Sequence, residues 1–507
     1  MGFAQILSRA EVGLTAPLVR VEVHLGSGLP TFNIVGLAAP VVRESRERVR
    51  AALAHCGFAF PAGRITVNLA PADLPKEGGR FDLPIAVGIL VASGQLQVDC
   101  NLESTEFYGE LGLTGELKPV AGLLLAALHA ARDAHAMVVP RIDVPPLRIV
   151  EGCSVRGLSQ LSELAEPQCM SDARCREVAD AHVQPAHDAP DLADVRGQWQ
   201  ACRALLIAAA GGHALLMCGP PGSGKSMLAQ RLPGLLPPLS REESLEVAAI
   251  AAVARTAVPA TGQGAERPFR APHHTASAHA IVGGGVAVRP GEVSLAHHGV
   301  LFLDELPEFD RRVLEALREP LESGTVSVVR ANQRAQYPAR FQLVAAMNPC
   351  PCGHAGQVRP RCECPPQKVQ RYRARISGPL LDRIDLQLAL RAVDADALTA
   401  VPRDPGEALT SAQCRSLVRV ARARQELRQG CCNARLGPAD TLQHCRADGA
   451  GMKLLRLAAE KHGHSARAQH RILRVARSIA DLANRDEVIA ADVGEALAMR
   501  FAALSGD

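Results

Sequence analysis

Gly219-Pro-Pro-Gly-Ser-Gly-Lys225-Ser226 is a complete G-x-x-x-x-G-K-S loop. Such a loop restricts its surroundings to one arrangement, a buried strand before it and a helix after it. The flanks supply both. Ala214-Leu-Leu-Met-Cys218 is an apolar run of strand length, and Met227 to Leu232 carries apolar residues at helical spacing. Bare backbone N–H groups and the positive end of a helix then surround a phosphate. Gly219, Pro220, Pro221, Gly222, Ser223 and Gly224 make the cradle, Lys225 reaches the terminal phosphates, and Ser226 holds Mg²⁺. The stretch predicts binding of a nucleoside triphosphate.

Hydrolysis needs a second set of groups. Gly299-Val-Leu-Phe-Leu303 is an apolar strand that ends in Asp304-Glu305. Asp304 is placed to hold Mg²⁺ and Glu305 to polarise the attacking water. A third strand, Phe341 to Ala346, runs into Met347-Asn348-Pro349. An Asn between the other two strands orients the water against the γ-phosphate; an ordinary Asn-Pro turn is the alternative. Arg383, in Ser377-Gly-Pro-Leu-Leu-Asp-Arg-Ile-Asp385, suits stabilisation of phosphoryl charge from a neighbouring subunit, or a local ion pair with Asp382 or Asp385. Arg467 opens a helix with apolar residues at Ile472, Val475, Ala476 and Ile479. A cation in a first helical turn opposes the helix dipole, which favours a nearby anion.

The order of these elements resembles the AAA+ ATPases of the magnesium-chelatase-like group, specifically the ComM/YifB type. The likeness includes Asp191-Leu-Ala-Asp-Val-Arg-Gly-Gln198, Phe269-Arg-Ala-Pro-His-His-Thr275, Arg289-Pro-Gly-Glu-Val-Ser-Leu-Ala-His-His-Gly299, Asn348-Pro-Cys-Pro-Cys-Gly353 and Ser465-Ala-Arg-Ala. It covers nearly the whole chain apart from a variable stretch around 166–190. The resemblance implies an α/β AAA+ P-loop core with a helical lid, hydrolysing ATP with Mg²⁺ in a homohexameric ring. Arg383 becomes the finger acting across the subunit interface and Arg467 the second sensor arginine.

The N-terminal part is similar to the domain of Lon-type proteases, an α+β fold. The residues that carry this likeness are Ile65 to Pro84 and Gly109-Glu-Leu-Gly-Leu-Thr-Gly-Glu-Leu-Lys-Pro-Val-Ala-Gly122-Leu-Leu124. Lon-type catalysis uses a Ser nucleophile with a Lys base. Here Arg80 stands in the serine's place after Gly78, and Leu124 in the lysine's place. Neither can do that chemistry, so the domain is expected to be structural or interacting, and not a protease.

At 507 residues, 47% of them hydrophobic, the chain is long enough for several packed domains. The expected plan is a Lon-like domain over 1–165, a linker over 166–190, an ATPase core over 191–391 and a helical lid over 392–507. No apolar run reaches the ~18 residues of a membrane helix; Leu83 to Val91 reads as a buried helix. The first residues do not form a signal peptide, so a cytoplasmic protein with reduced thiols is expected. Cys350, Cys352, Cys362 and Cys364 form two C-x-C pairs. Four thiolates, or three with His354, suit tetrahedral Zn²⁺, which would fold this small insertion. Because the spacing is C-x-C and not C-x-x-C, four unpaired thiols or a redox switch stay open beside zinc.

Net charge is only +4, so its distribution carries more information. Arg359, Arg361, Lys368, Arg371, Arg373, Arg375 and Arg383 are opposed only by Glu363 and Asp382. Val326 to Pro338 reads as a hairpin with Arg330 and Arg334 near its tip. Projecting into the channel of a ring, these arginines would track a phosphate backbone with little base preference. Aromatic residues make up 3% of the chain, which disfavours base stacking as the main grip. The expected partner is single-stranded or branched DNA, with a solvated basic face as the alternative. The resemblance implies a branch-migration helicase integrating single strands during natural transformation. The alternative is a chelatase-type remodeller acting on a protein partner. His273, His274 and the Gly283–Gly285 loop are assigned no chemistry.

Overall fold

The computed structural model describes residues 2–36, 40–74, 76, 78–97, 100–165, 190–256, 265–285, 288–330, 333–357, 361–392, 410–463 and 465–501. The expected linker over 166–190 lies outside them except for its last residue. The chain divides into two compact units, one of residues 1–182 with 244–263 and one of residues 183–243 with 264–507.

In the first unit, β1 (Gly2–Arg9), β2 (Leu18–Gly26), β3 (Thr31–Val35), β4 (Arg64–Ala70) and β5 (Thr105–Phe107) join two later strands in one mixed sheet. A separate short pair is made by β6 (Glu110–Leu111) and β7 (Leu117–Lys118). The sheet is completed by β8 (Ala136–Pro140) and β9 (Ser154–Leu158), in the order β3-β4-β2-β1-β5-β8-β9. Alternation explains the inner strands. Val19, Val21 and Val23 of β2 and Ile65, Val67 and Leu69 of β4 are buried, as a period of two requires of one sheet face. The helix Asp82–Ala92 is apolar almost all round and buried from Asp82 to Leu90, so it forms the centre of this unit. A Cβ added at Gly88 would stand 2.5 Å from Val23 Cγ2, so glycine lets the helix approach the sheet. Among the described residues no helix is long and apolar enough to cross a membrane.

The second unit is built on a parallel sheet. β10 (Leu215–Cys218), β11 (Phe269–Arg270), β14 (Val300–Leu303), β17 (Gln342–Met347) and β18 (Leu386–Ala389) lie in the order β11-β14-β17-β10-β18. Two hairpins interrupt it in sequence. β12 (Gly283–Gly284) pairs with β13 (Arg289–Pro290), and β15 (Thr325–Arg330) with β16 (Gln333–Pro338). Every residue of β10, β14 and β17 is buried, as expected for parallel strands covered on both faces. The C-terminal helices share this unit's core instead of making one of their own. Ile472, Val475, Ala476 and Ile479 of the helix Ala466–Leu482 cluster with Leu205, Leu215 and Leu228. The helix Ser411–Gln429 begins at a reciprocal cap, in which the Thr410 side chain accepts from the Gln413 N–H and the Gln413 side chain accepts from the Thr410 N–H.

Candidate nucleotide site

The strand order decides which side chains meet. β17 lies between β14 and β10, with Leu303 paired to Ala345 and Cys218 to Met347. Gly219, Asp304 and Asn348 therefore leave the carboxyl ends of three adjacent strands, where parallel sheets place their ligands. The loop turns through Gly222 (φ 77°) and Gly224 (φ 85°), conformations that favour glycine, and opens the helix Lys225–Leu235. A Cβ added at Gly222 would meet nothing within 4 Å, so the cradle is open there.

Lys225 Nζ donates to Gly219 O at 2.7 Å, Pro220 O at 2.8 Å and Asn348 Oδ1 at 3.2 Å. Burial lowers its pKa from the ordinary value, opposed by the charge of Asp304. Ser226 Oγ donates to Asp304 Oδ2 at 2.7 Å, so a hydroxyl and a carboxylate form one pair of hard oxygen donors. An ammonium bonded only to neutral oxygens, beside that pair, fits a Mg²⁺-nucleotide. Glu305 sits in the left-handed region (φ 52°, ψ 46°), which is costly for a non-glycine residue.

Two residues are engaged here without having been assigned chemistry from sequence. His274 Nδ1 lies 3.3 Å from Glu305 Oε2, its ring beside that of His273 and edge-on to Phe309. Gln198 is buried and its Nε2 donates to Ser223 O at 3.3 Å and Arg391 O at 2.9 Å, strapping the phosphate loop to the end of β18. Neither has a local signal. Each was visible only as part of a longer motif.

Arg383 meets a third residue, Glu322, whose carboxyl also feels the charge of Arg467. Arg383 Nη2 pairs with that carboxylate, while Nη1 donates to Pro379 O at 2.8 Å. The sequence alternatives for Arg383, Asp382 and Asp385, are thus replaced by a partner on the helix Arg318–Ser323. The hydrogen bond from Arg383 and then its charge hold Glu322 below the usual carboxylate range, with Arg467 and Arg471 adding to the effect. Arg467 is exposed in the first turn of its helix, behind the Ser465 cap. Asp385 binds elsewhere: its carboxylate accepts from Arg471 Nη1 at 2.6 Å and lies 3.3 Å from His213 Nδ1. His213 Nε2 in turn contacts Ser478 Oγ at 2.7 Å. Arg471 also donates to Arg383 O at 2.9 Å, linking the helix of Arg467 to the segment of Arg383.

The four cysteines come together. All four sulphurs lie within 4.8 Å of one another, and Cys350 Sγ is 3.3 Å from Cys352 Sγ and 3.6 Å from Cys362 Sγ. Tetrahedral Zn–S bonds of ~2.3 Å place sulphurs about 3.8 Å apart, so the set has the dimensions for Zn²⁺. A disulfide needs ~2.05 Å, and every described cysteine is a free thiol. His354 is not drawn into the set; its Nδ1 contacts Gln357 Oε1 at 3.0 Å.

The remaining candidates divide. In the first unit Arg80 is buried. It donates to Ala121 O at 2.6 Å and Glu11 Oε2 at 3.0 Å, and Leu124 is buried on the helix Leu123–Arg132. The hairpin β15–β16 forms, but the side chains of Arg330 and Arg334 lie outside the described residues. Part of the basic run is used internally: Arg375 pairs with Glu308 at 2.8 Å and Arg373 Nε donates to Pro349 O at 3.2 Å.

Three family models match the chain. Residues 191–398 match "Magnesium chelatase, subunit ChlI", residues 21–143 "Subunit ChlI of Mg-chelatase", and residues 408–500 the ChlI C-terminal model. The chain is 45% identical over 506 residues to competence protein ComM of Haemophilus influenzae, covering 99% of this chain and 98% of the relative. Identity is also 45% over 503 residues to uncharacterized protein YifB of Salmonella typhimurium, covering 99% and 97%. A chloroplastic magnesium-chelatase subunit, ChlI-2 of Arabidopsis thaliana, is 26% identical over 216 residues, covering 42% of this chain and 46% of its own.

Proposed function

The chain belongs to the ComM/YifB family of magnesium-chelatase ChlI-like proteins, and from that premise we propose that it is a ring-forming, Mg-ATP-driven DNA motor that migrates branches as single strands are integrated during transformation. The observation that carries the ATP-hydrolysing part is the meeting of Lys225, Ser226, Asp304 and Asn348 at three adjacent strand ends. Mg²⁺ held by Ser226 and Asp304 supplies charge neutralisation at the phosphates. Lys225 binds the terminal phosphates once it leaves its carbonyl partners. Glu305 accepts the proton of the attacking water, with His274 fixing one carboxylate oxygen, and Asn348 orients that water. Arg383 serves a neighbouring subunit's site, which requires release from Glu322.

DNA enters through the end-to-end likeness to ComM and through the hairpin inserted between β14 and β17. Arg330 and Arg334, near the tip of that hairpin, are the arginines proposed to grip a phosphate backbone. The N-terminal unit is a Lon-like, non-proteolytic scaffold. Steady-state ATP hydrolysis with single-stranded and branched DNA tests the proposal. DNA stimulation should vanish in Lys225→Ala and in the Arg330→Ala/Arg334→Ala variant. Turnover indifferent to every DNA, in wild type and hairpin variant alike, overturns it.

A second reading is favoured by the chelatase descriptions of all three family models. In it the ring remodels a protein partner, and loss of Arg330 and Arg334 leaves basal turnover intact while abolishing the response to that partner.

A further inference from the structure

The four-cysteine cluster stands beside the nucleotide site. Cys350 follows Asn348 by two residues, and the knuckle's turn rests on the phosphate loop. A Cβ added at Gly353 (φ 84°) would stand 2.7 Å from Pro221 Cδ and 3.9 Å from Asn348 Cγ. Cys350 anchors the turn twice: the Gly353 N–H donates to Cys350 O at 2.9 Å, and the Ala355 N–H to Cys350 Sγ at 3.2 Å. Cys350 is fully buried although its loop is polar. On the other side, Cys364 leads within two residues into the helix Pro366–Arg373. That helix returns to the start of the loop: Tyr372 hydrogen-bonds the backbone of Asn348, and Arg373 Nε reaches Pro349 O at 3.2 Å. The two cysteine pairs thus stand at the two ends of one excursion, the first two residues from Asn348 and the second leading into the helix whose Tyr372 contacts Asn348.

We propose that these four thiolates hold one zinc ion as a cross-link that fixes Asn348 and the roof of the phosphate loop, so that nucleotide turnover depends on a metal taking no part in the chemistry. The inference rests on Asn348 and the phosphate loop forming the ATP site. Without the cross-link, the Tyr372 and Arg373 contacts remain to hold the start of the excursion. Closing a loop costs entropy that metal–thiolate bonds offset. Displacing a positioning group by ~1 Å costs about 100-fold in rate. Lys225 is exposed to the same change, because Asn348 Oδ1 accepts one of its three hydrogen bonds. Cys350, Cys352, Cys362 and Cys364 are metal ligands in this scheme, and Asn348 and Gly353 are positioning residues.

The test uses the full-length protein purified without chelator. Elemental analysis should give one zinc per chain, lost in Cys362→Ser/Cys364→Ser and removable by a strong chelator. Hydrogen exchange is then compared between loaded and stripped protein. Peptides over residues 342–350 and 219–226 should exchange about tenfold faster after stripping, while peptides over residues 2–26 keep their protection. Turnover should fall about tenfold or more and return on adding Zn²⁺ but not additional Mg²⁺. Gly353→Ala separates metal from coupling, keeping one zinc per chain while lowering turnover. Absence of stoichiometric zinc overturns the inference, as does unchanged exchange over 342–350 and 219–226 on zinc loss. The zinc and exchange measurements decide it even if the wild type hydrolyses no ATP, which would instead overturn the function on which it rests.

Discussion

Each unit carries a glycine-bounded loop with a basic residue, and the two loops differ in what the cation faces. In the second unit Lys225 bonds only neutral oxygens, next to a cradle where a Cβ at Gly222 would touch nothing. In the first, Arg80 fills the space beside Gly122. A Cβ at Gly122 would stand 3.0 Å from Arg80 Nη2 and 2.3 Å from Glu11 Oε2. Arg80 is already neutralised by Glu11 and bonded to the Ala121 and Arg9 carbonyls. A cation already paired with a carboxylate of the fold gains little from an anionic ligand. One with only carbonyls to leave is poised for a phosphate, because charge-assisted bonds to an anion are stronger than those it gives up. The same ingredients thus make a binding loop in one place and a structural plug in the other.

The comparison breaks most visibly at the two cations. Lys225→Ala should lower ATP hydrolysis by about 1,000-fold in a steady-state assay; retention of wild-type turnover would mean that the open loop is not the nucleotide site. Glu305→Gln should cost about 100-fold or more in turnover with nucleotide affinity changed less than about threefold, since it removes a proton acceptor and no phosphate contact. Equal losses in both would assign Glu305 to binding.

Arg80→Met tests the other half. It leaves Glu11 partly buried and unpaired and should cost about 2 kcal/mol in denaturant unfolding of the first unit, with ATP turnover per folded chain unchanged. A variant that keeps its stability would show that Arg80 is not the plug. The smallest effect is a pH dependence. Burial alone would raise the Asp385 carboxyl, but the Arg471 charge and the His213 hydrogen bond hold it well below its ordinary 3.8. A depressed folded value adds stability that is complete above 3.8 and is lost as pH falls toward the folded value. The stability gap between wild type and Asp385→Asn, read from urea unfolding, should therefore narrow by about 1 kcal/mol from pH 6 to pH 3. A gap that widens would place the ion pair with Arg471 in error.

Legibility from sequence followed the range of the interactions. The phosphate loop, its strand and helix, the apolar strand before Asp304, the buried helix over Leu83 to Val91 and the hairpin before β17 rest on neighbours within a few residues, so local pattern carries them. The partner of Arg383 is different. Asp382 and Asp385 are near in sequence, but Glu322 is the carboxylate the fold delivers, and Asp385 is taken by Arg471 and His213. His274 and Gln198 were unreadable for the same reason, since their partners Glu305, Ser223 and Arg391 come from distant segments.

By itself, the sequence determined that a triphosphate loop is present, that two carboxylates end a following strand, and that Arg80 and Leu124 follow the glycines at 78 and 122. Those statements depend on residue identity at short spacing, which the backbone geometry of loops and strands makes meaningful before any folding is known. Only the tertiary structure decided that β17 lies between β14 and β10, that four sulphurs gather beside the turn packed on Pro221, and that Arg80 meets a carboxylate while Lys225 meets only neutral oxygens. Strand order and side-chain meeting are set by which apolar faces pack together across the whole unit. Packing of that kind is a property of the complete core and leaves no trace in any one stretch of it.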